Sequence, residues 1–116
     1  MLLDEIRTHC LAKKHVTESL PFDEFTPVFK VYGKIFLLMS LDYPVSINLK
    51  CDPERAISLR ETYNEITPGY HMNKNHWNTL QLEGNLRNNL IIELIDHSYD
   101  LVVKSLPKKH QGLFNS

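Results

Sequence analysis

The run Ile35-Phe36-Leu37-Leu38-Met39 restricts this chain more than any other feature. Five consecutive apolar residues leave no polar face, so a strand built from them needs cover on both sides and belongs in the middle of a sheet. Gly33 separates this run from a second β-rich run, Val28 to Tyr32. A glycine between two such runs marks a hairpin, because tight hairpin turns require positive φ. The apolar run is also the longest in the sequence, and it is far too short to cross a bilayer.

The remaining elements are arranged around that hairpin. Leu2, Leu3, Ile6, Cys10 and Leu11 recur at helical spacing and predict an amphipathic helix from Leu2 to Lys13. Val16 to Pro27 holds Pro21 and Pro27 and reads as a loop, pinned to the core by Phe22 and Phe25. After the turn Asp42-Tyr43-Pro44, the stretch Val45 to Cys51 alternates, with Ile47, Leu49 and Cys51 inward and Ser46, Asn48 and Lys50 outward. Asp52-Pro53 is a helix start, an N-cap followed by proline at the first helical position, and the helix runs to about Tyr63. Tyr70 to Lys74 reads as a short strand or an ordered loop, and Trp77 to Leu82 as a strand. Leu90, Ile91, Leu94, Ile95, Leu101 and Val102 form the apolar stripe of a last helix, with Glu93, Asp96, His97 and Asp100 opposite and Pro107 at its end. The order α-β-β-β-α-β-β-α predicts an α+β fold: one two-layer domain over residues 1–107, its mostly antiparallel sheet carrying the helices on one side. Residues 108–116 read as a loose polar tail.

The 116 residues suit one domain, and the net charge of -1 argues against holding nucleic acid by bulk charge alone. Cys10 and Cys51 form no CxxC pair, and the expectation is two reduced, buried thiols, a disulfide between them staying open. Asp4 and Glu5 interrupt the N-terminal apolar residues, so no signal peptide is expected there. Together these predict a cytoplasmic protein that makes no membrane contact and is a monomer or weak dimer.

Three stretches carry a resemblance: Asn48-Leu49-Lys50-Cys51-Asp52-Pro53-Glu54-Arg55-Ala56, Pro68-Gly69-Tyr70-His71-Met72-Asn73-Lys74-Asn75-His76-Trp77-Asn78-Thr79, and Glu93-Leu94-Ile95-Asp96-His97-Ser98-Tyr99-Asp100-Leu101-Val102. With them the chain resembles the MmcQ/YjbR family of small bacterial proteins over nearly its whole length. The resemblance implies a two-layer domain with an antiparallel sheet, similar in outline to secretion-chaperone-like folds, and a DNA-binding role through a double-wing arrangement. It brings no catalytic residues. Arg87 stands where proline often opens the family's last helix.

No acid occurs between Glu65 and Glu83, a gap of seventeen residues. Within that gap Tyr70, His71, Asn73, Lys74, His76, Trp77 and Asn78 gather amides, imidazoles, aromatics and an ammonium. Such groups suit base edges, stacking and phosphate. They equally suit a hydrogen-bonded loop in which the asparagines turn the chain and Trp77 fills the core. Lys50 extends the candidate set, and Arg55 and Arg60 join it only where Asp52, Glu54 and Glu61 do not cancel them. Lys30 and Lys34 flank Gly33 as a candidate wing, or as lysines that protect a sheet edge. From Lys50 to Lys109 there are eight basic and eight acidic residues, so any basic patch must be assembled by folding.

His71 and His76, five apart, fit no helical or strand ligand pair, and no metal or other cofactor is expected. Nucleotide-loop, serine-hydrolase and zinc-protease motifs are absent from the sequence, and the expectation is a non-enzymatic domain. Its leading partner is DNA. A protein partner, suggested by the doubly apolar strand, and a small ligand held by Tyr70, His71 and His76 are the alternatives.

Overall fold

The computed structural model describes residues 1–69 and 72–114. Helix α1 (Leu3–Leu11) opens with the Glu5 carboxylate accepting the Leu2 N–H at 3.0 Å, half of a capping box, and buries Ile6 and Cys10 completely. His15, at φ 63°, then turns the chain into β1 (Val16–Ser19). This segment was expected to be loop. It is an edge strand, only half-buried, paired with β2 (Val28–Val31) from Val16↔Val31 to Ser19↔Val28. Phe22 and Phe25 do not pin the following loop, being 65% and 51% exposed.

The expected hairpin joins β2 to β3 (Lys34–Ser40), and both turn residues have positive φ, Tyr32 at 47° and Gly33 at 79°. The pairing then slips. Phe29 faces Leu37 but Lys30 faces Ile35, so Phe36 is an extra residue in a bulge. The bulge breaks the regular alternation of a strand: Phe36 and Leu37 are both fully buried, while Ile35 and Leu38 are only partly so. Ser98 staples the irregular region. Its hydroxyl donates to the Phe36 carbonyl at 2.5 Å and accepts the Lys50 N–H at 2.9 Å.

Strand β4 (Ser46–Lys50) and helix α2 (Pro53–Thr62) follow, with the Asp52 carboxylate accepting the Arg55 N–H as the predicted N-cap. The second short strand lies earlier than expected: β5 is Ile66–Pro68, not Tyr70 to Lys74, of which Tyr70 and His71 lie outside the described residues. Pro68 is tolerated because β5 is a sheet edge. Strand β6 (Trp77–Gln81) and helix α3 (Asn88–Lys104) occur as predicted, although α3 also buries Ser98 and Tyr99. The expected loose tail holds helix α4 (Lys108–Gln111) and a 3-10 turn (Gly112–Phe114). Gln111 donates to the Val103 and Leu106 carbonyls, and Phe114 packs edge-on to Tyr99.

The six strands form one antiparallel sheet in the order β1-β2-β3-β4-β6-β5, one strand more than the central layout predicted before α2. Register defines two faces. Cross-strand rows such as Met39↔Ile47↔Leu80↔Ile66 share a core with Ile6 and Cys10 of α1, Ala56 and Leu59 of α2, and Ile91, Leu94 and Ile95 of α3. The intervening row Val28↔Leu38↔Asn48↔Thr79↔Thr67 lies on the opposite face, away from the helices, as a two-layer α+β fold requires. Among the described residues no helix is long and apolar enough to cross a membrane.

Candidate nucleic-acid interface

The strand directions bring together lysines that the sequence scatters. The β2–β3 turn, the end of β4, the start of β6 and the C-terminal end of α3 all lie at one end of the sheet. Lys34, Lys50, Lys74 and Lys104 sit there, Lys30 one residue inside it, and Lys108 and Lys109 follow on α4. Lys13 and Lys14, between α1 and β1, complete the chain's nine lysines at this end. Lys13 is occupied: it bridges Asp96 at 2.6 Å and lies 4.9 Å from the Tyr99 ring centre. Partial burial would raise the Asp96 carboxyl, but hydrogen bonds from Lys13 and His9 outweigh it and hold the group below the ordinary carboxylate value. Lys30, Lys50, Lys74, Lys104, Lys108 and Lys109 make no ion pair with a described carboxylate.

Lys50 and Trp77 are directly opposed on β4 and β6, and the Cys51 N–H donates to the His76 carbonyl at 2.7 Å. That bond anchors the turn carrying Asn73, Lys74 and His76 beside Lys50. All three turn residues are exposed. Asn73 fixes the turn itself: its side-chain oxygen accepts the Asn75 N–H at 2.9 Å, and its carbonyl accepts the His76 N–H at 3.1 Å. Among the described residues, the charged strand positions on the face away from the helices are Lys30 and Lys50. The central uncharged positions of that face, Val28, Ser46, Asn48 and Thr79, are buried, with the Thr79 hydroxyl donating to the Asn48 side-chain oxygen at 2.6 Å, so its accessible part lies toward the edges and the lysine end.

Other candidates are structural. Trp77 is 9% and Asn78 1% exposed. Asn78 lies on the core side, accepting from Arg60 Nε at 2.6 Å and donating to the Ala56 carbonyl at 3.3 Å. Arg60 also donates to the Lys74 and Trp77 carbonyls, so this guanidinium organises the turn instead of extending a patch. Arg55 is paired with Glu93 and extends nothing either. Lys30 and Lys34 do not make a single wing: Lys30 lies on the helix-free face, whereas Lys34 Nζ reaches the Ser105 carbonyl at 3.4 Å on the helix side. Tyr70 and His71 lie outside the described residues.

In the sequence Arg60 reads only as a charge. Its role was signalled by spacing alone, one helix facing the turn before β6, which no pattern of residue types reveals. The lysines of α3 and α4 were missed because their end of the sheet is known only once the topology is.

Chemistry at this end is limited by burial. Desolvation pushes the Cys51 thiol up, with the Arg55 charge opposing, and Cys10 is pushed up to about 12. Both free thiols are therefore weak nucleophiles. The cavity beside Cys51, Leu59, Asn78 and Leu94 measures about 10 Å³, room for one water and no more. Among the described residues no cluster of three or more His, Cys, Asp or Glu side chains is placed to hold a metal ion.

Comparison with known proteins matches this architecture. The family model YjbR covers residues 11–101. The chain is 41% identical to the uncharacterized protein YbdF of Escherichia coli O157:H7, covering 94% of this chain and 95% of that one. It is 32% identical to the uncharacterized protein YjbR of Escherichia coli K12, with 97% of each chain covered. Among solved structures it is similar to the Deinococcus radiodurans protein DR2400, with a DUF419 domain, at a TM-score of 0.90 and 38% identity over 97% of this chain and 87% of that one. A Pseudomonas syringae protein, solved as a crystal structure, aligns with a TM-score of 0.77 and 31% identity over 87% of this chain and 98% of its own. A helix-backed antiparallel sheet with these sequence relatives places the chain in the YjbR family.

Proposed function

We propose that this chain is a non-enzymatic binding domain that receives the phosphate backbone of DNA at its lysine end. One observation carries the reading: Lys30, Lys50 and Lys74, with His76, lie toward one end of a sheet whose described helix-free strand positions hold no carboxylate. The nearby Asp52 carboxylate is turned to the α2 N-terminus as its cap, and Glu93 is neutralised by Arg55. Ammonium groups on flexible stems give contacts to phosphate that position a strand without reading its sequence. Asn73 and His76 add polar groups at the rim. Affinity of this kind comes from counterion release and falls steeply with salt.

The test is a fluorescence-anisotropy titration of duplex and single-stranded DNA from about 50 to 200 mM salt. Binding at low salt is expected, with the log–log salt slope reduced by about one for each of Lys50→Gln and Lys74→Gln. No binding of either form at the lowest salt, or slopes indifferent to both substitutions, overturns the proposal.

A further inference from the structure

The opposite end of the sheet has the reverse character. It is formed by the β1–β2 loop, the β3–β4 turn, the connection from β6 to α3 and the start of α1. Asp4, Glu5, Asp23, Glu24, Asp42 and Glu83 lie on these segments, and none of the nine lysines does. Of the nearest arginines, Arg7 is bound by Glu18 at 2.8 Å, which leaves Arg87. The same segments expose large apolar side chains: Leu2 70%, Phe22 65%, Phe25 51%, Leu41 39% and Tyr43 81%. The Phe25 carbonyl accepts the Leu41 N–H at 2.8 Å, joining the loop to the turn, and the Glu83 carboxylate lies close enough to the Tyr43 hydroxyl to push that phenol up from its ordinary value. Next to Glu83 lies an open groove of about 580 Å³ whose walls include Leu2, Leu3, Val45 and Leu82 together with Asp4.

We infer that this end docks a partner-protein segment in which Lys or Arg side chains alternate with apolar ones. Contiguous exposed apolar side chains mark an interaction site. A groove of this size seats one or two aliphatic or aromatic anchors, and the carboxylates around it select for cations and against other sequences. Charge decides between occupants. A symmetric dimer through this end would set each carboxylate near its own copy. The lysine end of a second copy complements the charge, but among the described residues it offers Leu11, Tyr32 and Leu113, at 38%, 36% and 44%, a smaller apolar surface than the side chains they would have to meet. An anionic bilayer is repelled by this end. A basic, apolar segment satisfies both features at once, and the site is separate from the one assigned to DNA.

The experiment uses the full chain, labelled with ¹⁵N, and two synthetic peptides with leucine at amphipathic-helical spacing, one filled with lysine and the other with glutamate. The lysine peptide is expected to shift amides in residues 20–25, 41–45 and 82–84. Its dissociation constant should rise about tenfold or more in Asp23→Lys/Glu24→Lys/Asp42→Lys. An independent variant, Phe22→Ser/Tyr43→Ser, should weaken binding comparably, whereas Lys50→Glu leaves it unchanged. The inference is overturned by equal affinity for the glutamate peptide, by shifts centred on the lysine end, or by affinity indifferent to both multiple variants. Sedimentation showing self-association abolished by Phe22→Ser/Tyr43→Ser overturns it in favour of a second copy. Co-flotation with anionic vesicles in preference to peptide binding overturns it in favour of a membrane.

Discussion

His97 was expected on the solvated face of the last helix, and its surroundings give it a different task. Its Nε2 accepts the Asp52 N–H at 3.2 Å, which requires an unprotonated nitrogen and ties α3 to the residue that caps α2. Burial, followed by the adjacent Arg55 charge, holds the imidazole below its ordinary value of 6.5. The unfolded chain therefore binds this proton more readily than the folded one. The resulting stability is fully present above about pH 6.5 and is lost as the pH falls through the lower, folded-state value. His97→Gln keeps an acceptor but does not titrate, so urea midpoints measured from pH 7.5 to 5 should fall less in this variant than in the wild type. Parallel pH profiles for the two proteins would exclude the role. Such a bond is invisible in the sequence, where His97 differs in no way from a surface histidine flanked by acids.

At the scale of elements, legibility followed hydrophobic periodicity. The β2–β3 hairpin, the N-cap of α2 and the long α3 each carry a pattern strong enough to override their surroundings. Strands β1 and β5 do not: Val16-Thr17-Glu18-Ser19 has a single apolar residue, and Ile66-Thr67-Pro68 contains a turn-former. Each is an edge strand whose hydrogen bonds come from a neighbour fixed by the rest of the fold. The bulge at Phe36 is likewise imposed by tertiary packing. The closure of β5 onto β6 depends on Gly69, whose N–H donates to the Trp77 carbonyl at 2.7 Å. A Cβ at that position would lie 2.7 Å from Trp77 Cβ and 2.9 Å from the Trp77 carbonyl oxygen, and backbone cannot swing aside. Gly69→Ala should cost about 1–3 kcal/mol and lower the melting temperature by at least about 4 °C. Gly112→Ala, which meets nothing within 4 Å, serves as the comparison, and equal melting temperatures for the two would refute the packing argument.

The molecule as a whole is polar in a way that its composition conceals. Basic and acidic residues interleave along the chain because successive strands carry it back and forth between the two ends. Only the sheet order sorts them, which is why no run of residues disclosed the lysine end. A net charge of -1 predicts little affinity for a cation exchanger at pH 7. The sorted lysines predict retention on a sulfonate resin at low salt despite that sign, with earlier elution of Lys50→Glu/Lys74→Glu. Passage of the wild-type protein straight through the column would mean that the two ends do not act as separate fields.

Opposite poles on one rigid sheet also fix an orientation. If the proposed phosphate polymer is the ligand, the molecule approaching it would experience a torque that swings its cationic pole inward, and it would land facing one way before any specific contact forms. The carboxylate-bearing pole would then project outward, away from the polymer and open to the segment proposed to dock there.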